Sequence, residues 1–253
     1  MIKFFRKIRQ NLLMENKMGK YFKYAIGEII LVVIGILIAL GINNWNQNIQ
    51  KKEQEKVYYC KIKEDLETDK NNIKASIESL NERKSTAKRV LTNLYAGVNN
   101  KSDIMKDYLP AIRSYNFVPS KLAIQDITSS GKLENLKQTN LKALILKHYT
   151  EMEFALNTIN YNRIDVSQYV YRYENLADFG LHQTPLYKNE FGEELLEQMP
   201  DVNWYNDKEH LIYKQFQEHI TLSIIVSSRE QQLLNQILSS TEKLKSELEK
   251  YCE

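Results

Sequence analysis

From Ile29 to Ile42 the chain runs Ile-Ile-Leu-Val-Val-Ile-Gly-Ile-Leu-Ile-Ala-Leu-Gly-Ile, fourteen residues with no charge and no strongly hydrogen-bonding side chain. A helix that is apolar on every face must be buried in a large core or in lipid, and no other stretch constrains the chain as much. Fourteen residues alone are short for a span, but the flanks extend it. Tyr21, Phe22 and Tyr24 stand on one side and Trp45 on the other, as interfacial aromatic belts do. Tyr24 to Trp45 covers roughly 31 Å of helix, the hydrocarbon thickness of a bilayer. Ala39-Leu40-Gly41 also satisfies the small-x-small rule for signal peptidase, so cleavage after Gly41 is the competing reading. Against it, 24 residues are long for the region preceding a secretory signal core.

Charge orients the span. Lys3, Arg6, Lys7, Arg9, Lys17, Lys20 and Lys23 precede it against Glu15, a net +6 (seven minus one). The whole chain is +3, so the remainder carries 3 − 6 = −3. A mildly acidic main domain makes a nucleic-acid groove a poor expectation. Residues 43–62 hold only Lys51, Lys52, Lys56 and Lys61. By the positive-inside rule the amino terminus stays in the cytoplasm and the rest is exported. The expected divisions are a basic cytoplasmic segment at 1–24, a transmembrane helix at 25–45 and an exported helical domain at 46–253, with the membrane crossed once.

Within the first segment Ile2, Phe5, Ile8 and Leu12 alternate with Lys3, Arg6, Lys7 and Arg9 at helical spacing. That pattern suits an amphipathic helix on anionic lipid, each cation contributing about 1 kcal/mol at the headgroups; an unstructured basic tail that only sets topology is the alternative. Glu28 lies one helical turn beyond Tyr24. It is either an in-membrane contact for a partner or a headgroup-level carboxylate reaching back to Lys20 or Lys23. Gly35 and Ala39 form a small-xxx-small pair that permits close helix packing in lipid.

Glycine and proline number only 8 and 4, which leaves few turn signals for an all-β fold and favours an all-α chain. Apolar positions recur at Ile62, Leu66, Ile73, Ile77, Leu80, Ala87, Leu91 and Leu94, the gaps of a long helix with one buried seam, stopped at Gly97. That helix would continue from the span as a single stiff rod. A short helix from about Ser120 to Ser130 is stopped by Gly131. A second long helix starts at Thr139 or Asn140, and a third begins near Asp207 and closes on Leu234, Ile237, Thr241, Leu244 and Leu248. Residues 180–206 read as the longest irregular connection. The expected architecture is an elongated antiparallel helical bundle.

If the last helix returns antiparallel to the first, Cys252 arrives beside Cys60. In an oxidising compartment the two would form a disulfide, stabilising by about 4 to 5 kcal/mol for so long a loop; two free thiols are the alternative. His148, His182, His210 and His219 are the only histidines, and none sits at the spacing of a helical zinc pair. Nucleophile elbows, phosphate loops, dinucleotide fingerprints and CxxC motifs are absent from the sequence. No cofactor, metal or catalytic residue is expected. Tyr161, Tyr169, Tyr171 and Tyr173 beside Arg163 and Arg172 form either an exposed patch for a protein or glycan partner or the wet edge of the core.

The run MIKFFRKIRQNLLMENKMGKYFKYAIGEIILVVIGILIALGINNWNQN closely resembles the start of a family of single-span membrane proteins of Bacteroidota-type bacteria, domain-of-unknown-function family 6090. Ile127-Thr-Ser-Ser-Gly-Lys-Leu-Glu-Asn-Leu136 and the helix reaching His148-Tyr149 resemble its middle region. The resemblance implies an inner-membrane protein with a periplasmic helical domain and supplies no activity. The leading expectation is a membrane-tethered scaffold or accessory subunit that binds another envelope protein or a second copy of itself. A ligand-sensing domain that signals through the span to a separate partner is the second, since about 24 cytoplasmic residues are too few for an output module. An enzyme is the least supported.

Overall fold

The computed structural model describes residues 18–97, 100–113 and 117–252, and among them there are helices and turns but no strand. We label the α-helices α1 (Met18–Ala96), α2 (Lys101–Ile112), α3 (Leu122–Ser129), α4 (Thr139–Gln168), α5 (Leu176–Phe179), α6 (Pro185–Phe191), α7 (Glu193–Gln198) and α8 (Leu211–Glu249). The chain divides into two compact units, Met1–Val57 and Tyr58–Glu253.

In the first unit the described residues are the amino-terminal part of α1. Its apolar window is unburied, and it is long and apolar enough to be a candidate membrane span. Ile29, Leu31, Leu37 and Ile42 all stand exposed, as do Tyr24 and Trp45, while Glu28 is half-buried. Gly35 and Ala39 lie on the same exposed helix. Lys3, Arg6, Lys7 and Arg9, with the amphipathic segment they belong to, lie outside the described residues, as does the side chain of Tyr21.

The second unit is built on three long helices. Cross-links between α1 and α8 fall in opposite order along the two helices: Cys60 with Cys252, Glu67 with Lys245, Lys74 with Glu242, Asn81 with Gln231. The same holds between α4 and α8, where His148 meets Ser240 and Tyr169 meets Glu218. Helix α8 is therefore antiparallel to both α1 and α4, which run in the same direction. Every seam position expected for α1 and α8 is buried or half-buried. Burial of these residues drives the association at about 25 cal/mol per Å² of apolar surface.

Two apolar cores result. One gathers Tyr59, Ile62, Leu66, Ile73 and Leu80 with Ile145, Met152, Ile159, Leu234, Leu244 and Leu248. The other gathers Ala87, Val90 and Leu94 with Ile104, Tyr108, Phe179, Trp204, Phe216 and Ile220. Helix α3 caps the first core and is held from outside: Asp69 Oδ1 accepts from Ser120 N at 2.7 Å and Asp65 Oδ2 from Ala123 N at 2.9 Å. These two carboxylates, one turn apart on α1, supply the acceptors that the start of α3 lacks in its own sequence.

Helix ends follow glycine where expected, with Gly97 at φ +76° and Gly131 at φ +69°, backbone that a side chain would strain. Three differences from the sequence reading stand out. Helix α2 was not foreseen; Asn100 caps it, its Oδ1 accepting from Ser102 N at 2.9 Å. Helix α8 begins at Leu211 and not near Asp207, because Asp207 Oδ1 accepts from Glu209 N and His210 Nδ1 from Ile212 N, forming a turn and then a cap. The stretch 180–206 holds α6, α7 and two 3₁₀ turns and is pinned to the second core. Trp204 donates from Nε1 to Phe179 O at 3.0 Å, and buried Lys101 pairs with Asp201 at 2.8 Å.

The structure joins Cys60 and Cys252 in a disulfide with Cα atoms 5.4 Å apart, closing a loop over a separation of 192 residues. Reduction, or Cys252→Ser, is expected to destabilise the domain by about 5 kcal/mol in the chain-entropy treatment, read as a lowered denaturant midpoint; a midpoint indifferent to reductant would count against the bridge. Burial also lowers His148 and His219 to about 4 from 6.5 and raises Asp69 to about 6 from 3.8. The unfolded chain protonates the histidines first, so their stabilisation is full above pH 6.5 and lost as pH falls toward 4; Asp69 acts oppositely between 3.8 and 6. Two shifts against one leave a net loss of about 3 kcal/mol from pH 6.5 to 4. Urea unfolding at the two pH values checks the sign.

Candidate functional site

Between the two apolar cores lies a belt of buried and half-buried polar groups drawn from one level of three helices. Arg83 of α1 follows Leu80 and precedes Ala87, Arg163 of α4 lies between Ile159 and Val166, and Ser223, Ser227 and Glu230 of α8 lie between Ile220 and Leu233. Arg83 is 4% exposed and Glu230 1%. Nε and Nη2 of Arg83 each donate to Ser223 Oγ at 3.2 Å, and that hydroxyl donates to Ala111 O at 2.6 Å near the end of α2. Arg163 Nη2 donates to Glu230 Oε1. Glu230 Oε2 is 4.0 Å from Arg83 Nη1, and neither of those atoms makes a hydrogen bond. Burial lowers the Arg83 guanidinium to about 10, Glu230 opposing the shift and Arg163 adding to it. At neutral pH it therefore remains a cation, enclosed and only partly compensated.

Two cavities adjoin at this belt and share Arg83, Leu109 and Arg113 in their walls. One, of about 600 Å³, opens between α1, α2 and the start of α6, with Glu82, Lys106 and Thr184 among its lining. The other, of about 410 Å³, lies among α2, α4 and the 176–187 segment. Arg83 and Arg163 stand in its wall beside exposed Arg113, whose Nη2 donates to Tyr187 Oη at 3.0 Å. Ile112, Ile164, Val170, Leu176 and Leu181 supply an apolar side, and no carboxylate is among the lining residues. Such a cavity, apolar with a few convergent polar groups, has the size and make-up of a small-molecule site.

The tyrosine cluster is split by the fold. Tyr161 and Tyr171 are exposed, the latter lining the smaller cavity, whereas Tyr169 and Tyr173 turn into the second core. There they surround His219, whose Nε2 meets Val166 O at 2.8 Å while Nδ1 faces the Tyr108 and Tyr173 hydroxyls at 3.1 and 3.4 Å. A donor Nε2 and acceptor Nδ1 satisfy this set, so His219 is a neutral core residue. Arg163 points to Glu230, and Arg172 lies over the Tyr169 ring at 5.3 Å. His148 is buried with Nδ1 2.9 Å from Ser240 Oγ, and His182 is buried too. Among the described residues no three histidines, cysteines or carboxylates come together as a metal site would need.

Arg83, Arg113 and Glu230 escaped the sequence reading, yet a signal existed. Ser223, Ser227, Glu230, Leu234, Ile237 and Thr241 step by fours and threes, so Glu230 is in phase with the buried stripe, as Arg83 is on α1. A charge in apolar register marks a buried partner.

The profile of a family of unknown function (DUF6090) matches residues 28–168, more than half of the chain. The protein belongs to that family. The match takes in Arg83, Arg113 and Arg163 and stops before Glu230. No curated protein and no solved structure is similar to it. In this DUF6090 chain, Glu230→Gln removes the carboxylate that stands between the buried guanidinium of Arg83 and the half-buried one of Arg163. A loss of about 3 to 5 kcal/mol in unfolding free energy is expected, measured by chemical denaturation; a change under about 1 kcal/mol would show the belt to be solvated.

Proposed function

We propose that this is a membrane-anchored binding protein of a Bacteroidota-type inner membrane, with its basic amino terminus in the cytoplasm, one span at 25–45 and a periplasmic helical domain. The basic-before-apolar order, the unburied apolar helix and the Cys60–Cys252 pairing in an oxidising compartment support that topology. Lys3, Arg6, Lys7 and Arg9 would contact lipid headgroups. The domain is read as a ligand sensor that signals through its span to a separate partner, and not as an enzyme.

The observation that carries this reading is the pair of adjoining cavities at Arg83. Both are clefts open to solvent, and their size beside a buried cation suits a bound small molecule. The scaffold reading keeps one observation of its own. Phe154 and Tyr161, each 73% exposed, lie seven residues apart on one face of α4, spacing that suits a protein partner or a second copy of the chain.

The two readings separate in experiment. A ligand sensor is expected to gain several degrees in thermal midpoint from at least one compound of an envelope metabolite collection, with Phe154→Ser and Tyr161→Ser leaving that gain intact. Loss of a crosslinked envelope protein from the same double variant, together with no thermal response, would favour the scaffold.

A further inference from the structure

The ligand-sensor reading leaves the ligand unspecified, and the smaller cavity narrows its chemistry; a ligand class for that cavity rests on the sensor reading. We propose that this cavity binds an organic oxyanion, a compact carboxylate or phosphate head on an apolar body, with the head among Arg83, Arg113 and Arg163 and the body against Ile112, Ile164 and Leu181.

Three features select this class. The first is charge: three guanidinium groups line the cavity and no carboxylate is among its lining residues, while Glu230 meets Arg83 and Arg163 from behind the wall. The second is a cation held in place. Arg83 is 4% exposed, its Nε and Nη2 are held by Ser223, and its enclosed Nη1 faces Glu230 Oε2 at 4.0 Å. A guanidinium fixed in the wall attracts an oxyanion through its charge, while exposed Arg113 at the rim can donate to it directly, and charge-assisted bonds of this kind are about twice as strong as neutral ones. The third is the rest of the lining, where Ile112, Ile164, Val170, Leu176 and Leu181 offer apolar surface. A bare inorganic anion would leave that side empty, and a neutral apolar molecule would leave the cations uncompensated. Arg113, exposed and bonded to Tyr187 at the rim, completes the charge without being part of the buried belt.

The same chemistry arises from a free metabolite or from a lipid headgroup, so the test carries both. Full-length protein in phosphatidylcholine nanodiscs is titrated calorimetrically with phenyl phosphate, hexanoate, lysophosphatidylglycerol below its micelle concentration, and benzyl alcohol as the neutral counterpart. At least one anionic probe is expected to saturate at one site per chain and to bind at least tenfold tighter than benzyl alcohol. Arg113→Gln, which leaves Arg83, Arg163 and Glu230 untouched, is expected to weaken it about tenfold. Circular dichroism and an unchanged thermal midpoint of the free variant establish that it is folded. Response to lysophosphatidylglycerol alone, with the same dependence on Arg113, supports the proposal and assigns the head to a lipid. Benzyl alcohol binding as tightly as the anions, or anions insensitive to Arg113→Gln, overturns the oxyanion proposal and leaves the ligand-sensor reading standing. No saturable binding by any of the four probes overturns both.

Discussion

Glu230 sits between two arginines from two different helices, and the three charges lie between two apolar cores. Enclosed charge is costly unless matched closely in space, so the contact tolerates little sliding of α1, α4 and α8 along one another. Apolar seams with three-four spacing tolerate more, because Leu, Ile and Met fill a shifted groove nearly as well. The belt thus penalises any register in which Glu230 loses either guanidinium. It also places Ser223 under Arg83 and, through Ala111, ties the end of α2 to the same level.

From that register the cavities arise. Helix α2 is held away from α4 at its carboxyl end, and the 176–187 segment covers part of the gap without filling it. Gly180 lets the chain turn sharply there, its φ of +87° setting the backbone against Lys101. Trp204 and the Lys101–Asp201 pair anchor the next stretch of chain, so the wall of the site is structured although its sequence has little periodicity. At the far end of the first core the disulfide fixes where α8 meets α1, and Glu230 is separated from it by about the carboxyl-terminal half of α8.

Much of the scaffold was legible in the residues. The seam of α1 from Ile62 to Leu94, its stop at Gly97, the start of α4 at Thr139 and the closing stripe of α8 all follow from side-chain period and from glycine's freedom at positive φ. Helix α2 was not legible, since Pro110 and the polar Lys101-Ser-Asp start mask its short apolar face and only packing against the second core stabilises it. The candidate site was nearly invisible. Arg83 and Glu230 are 147 positions apart (230 − 83), and although each falls in phase with an apolar stripe, nothing local says which charge it meets. Tyr169 and Tyr173 looked like partners of Tyr161 and Tyr171 until the 3₁₀ turn at Tyr169–Arg172 rotated them inward.

By itself the sequence determined what depends on local composition and period: an apolar helix long enough to be a candidate span, the all-α class, the positions of the seams and the residues at which helices stop. These follow from neighbours within a turn or two, where hydrophobic pattern and backbone freedom act. Only the tertiary structure decided which charges are buried and against what, that α8 runs opposite to both α1 and α4, and that arginines from α1, α4 and the residue after α2 line one cavity. Those features depend on pairs distant in sequence, whose energies exist only once the helices have packed and water has been excluded.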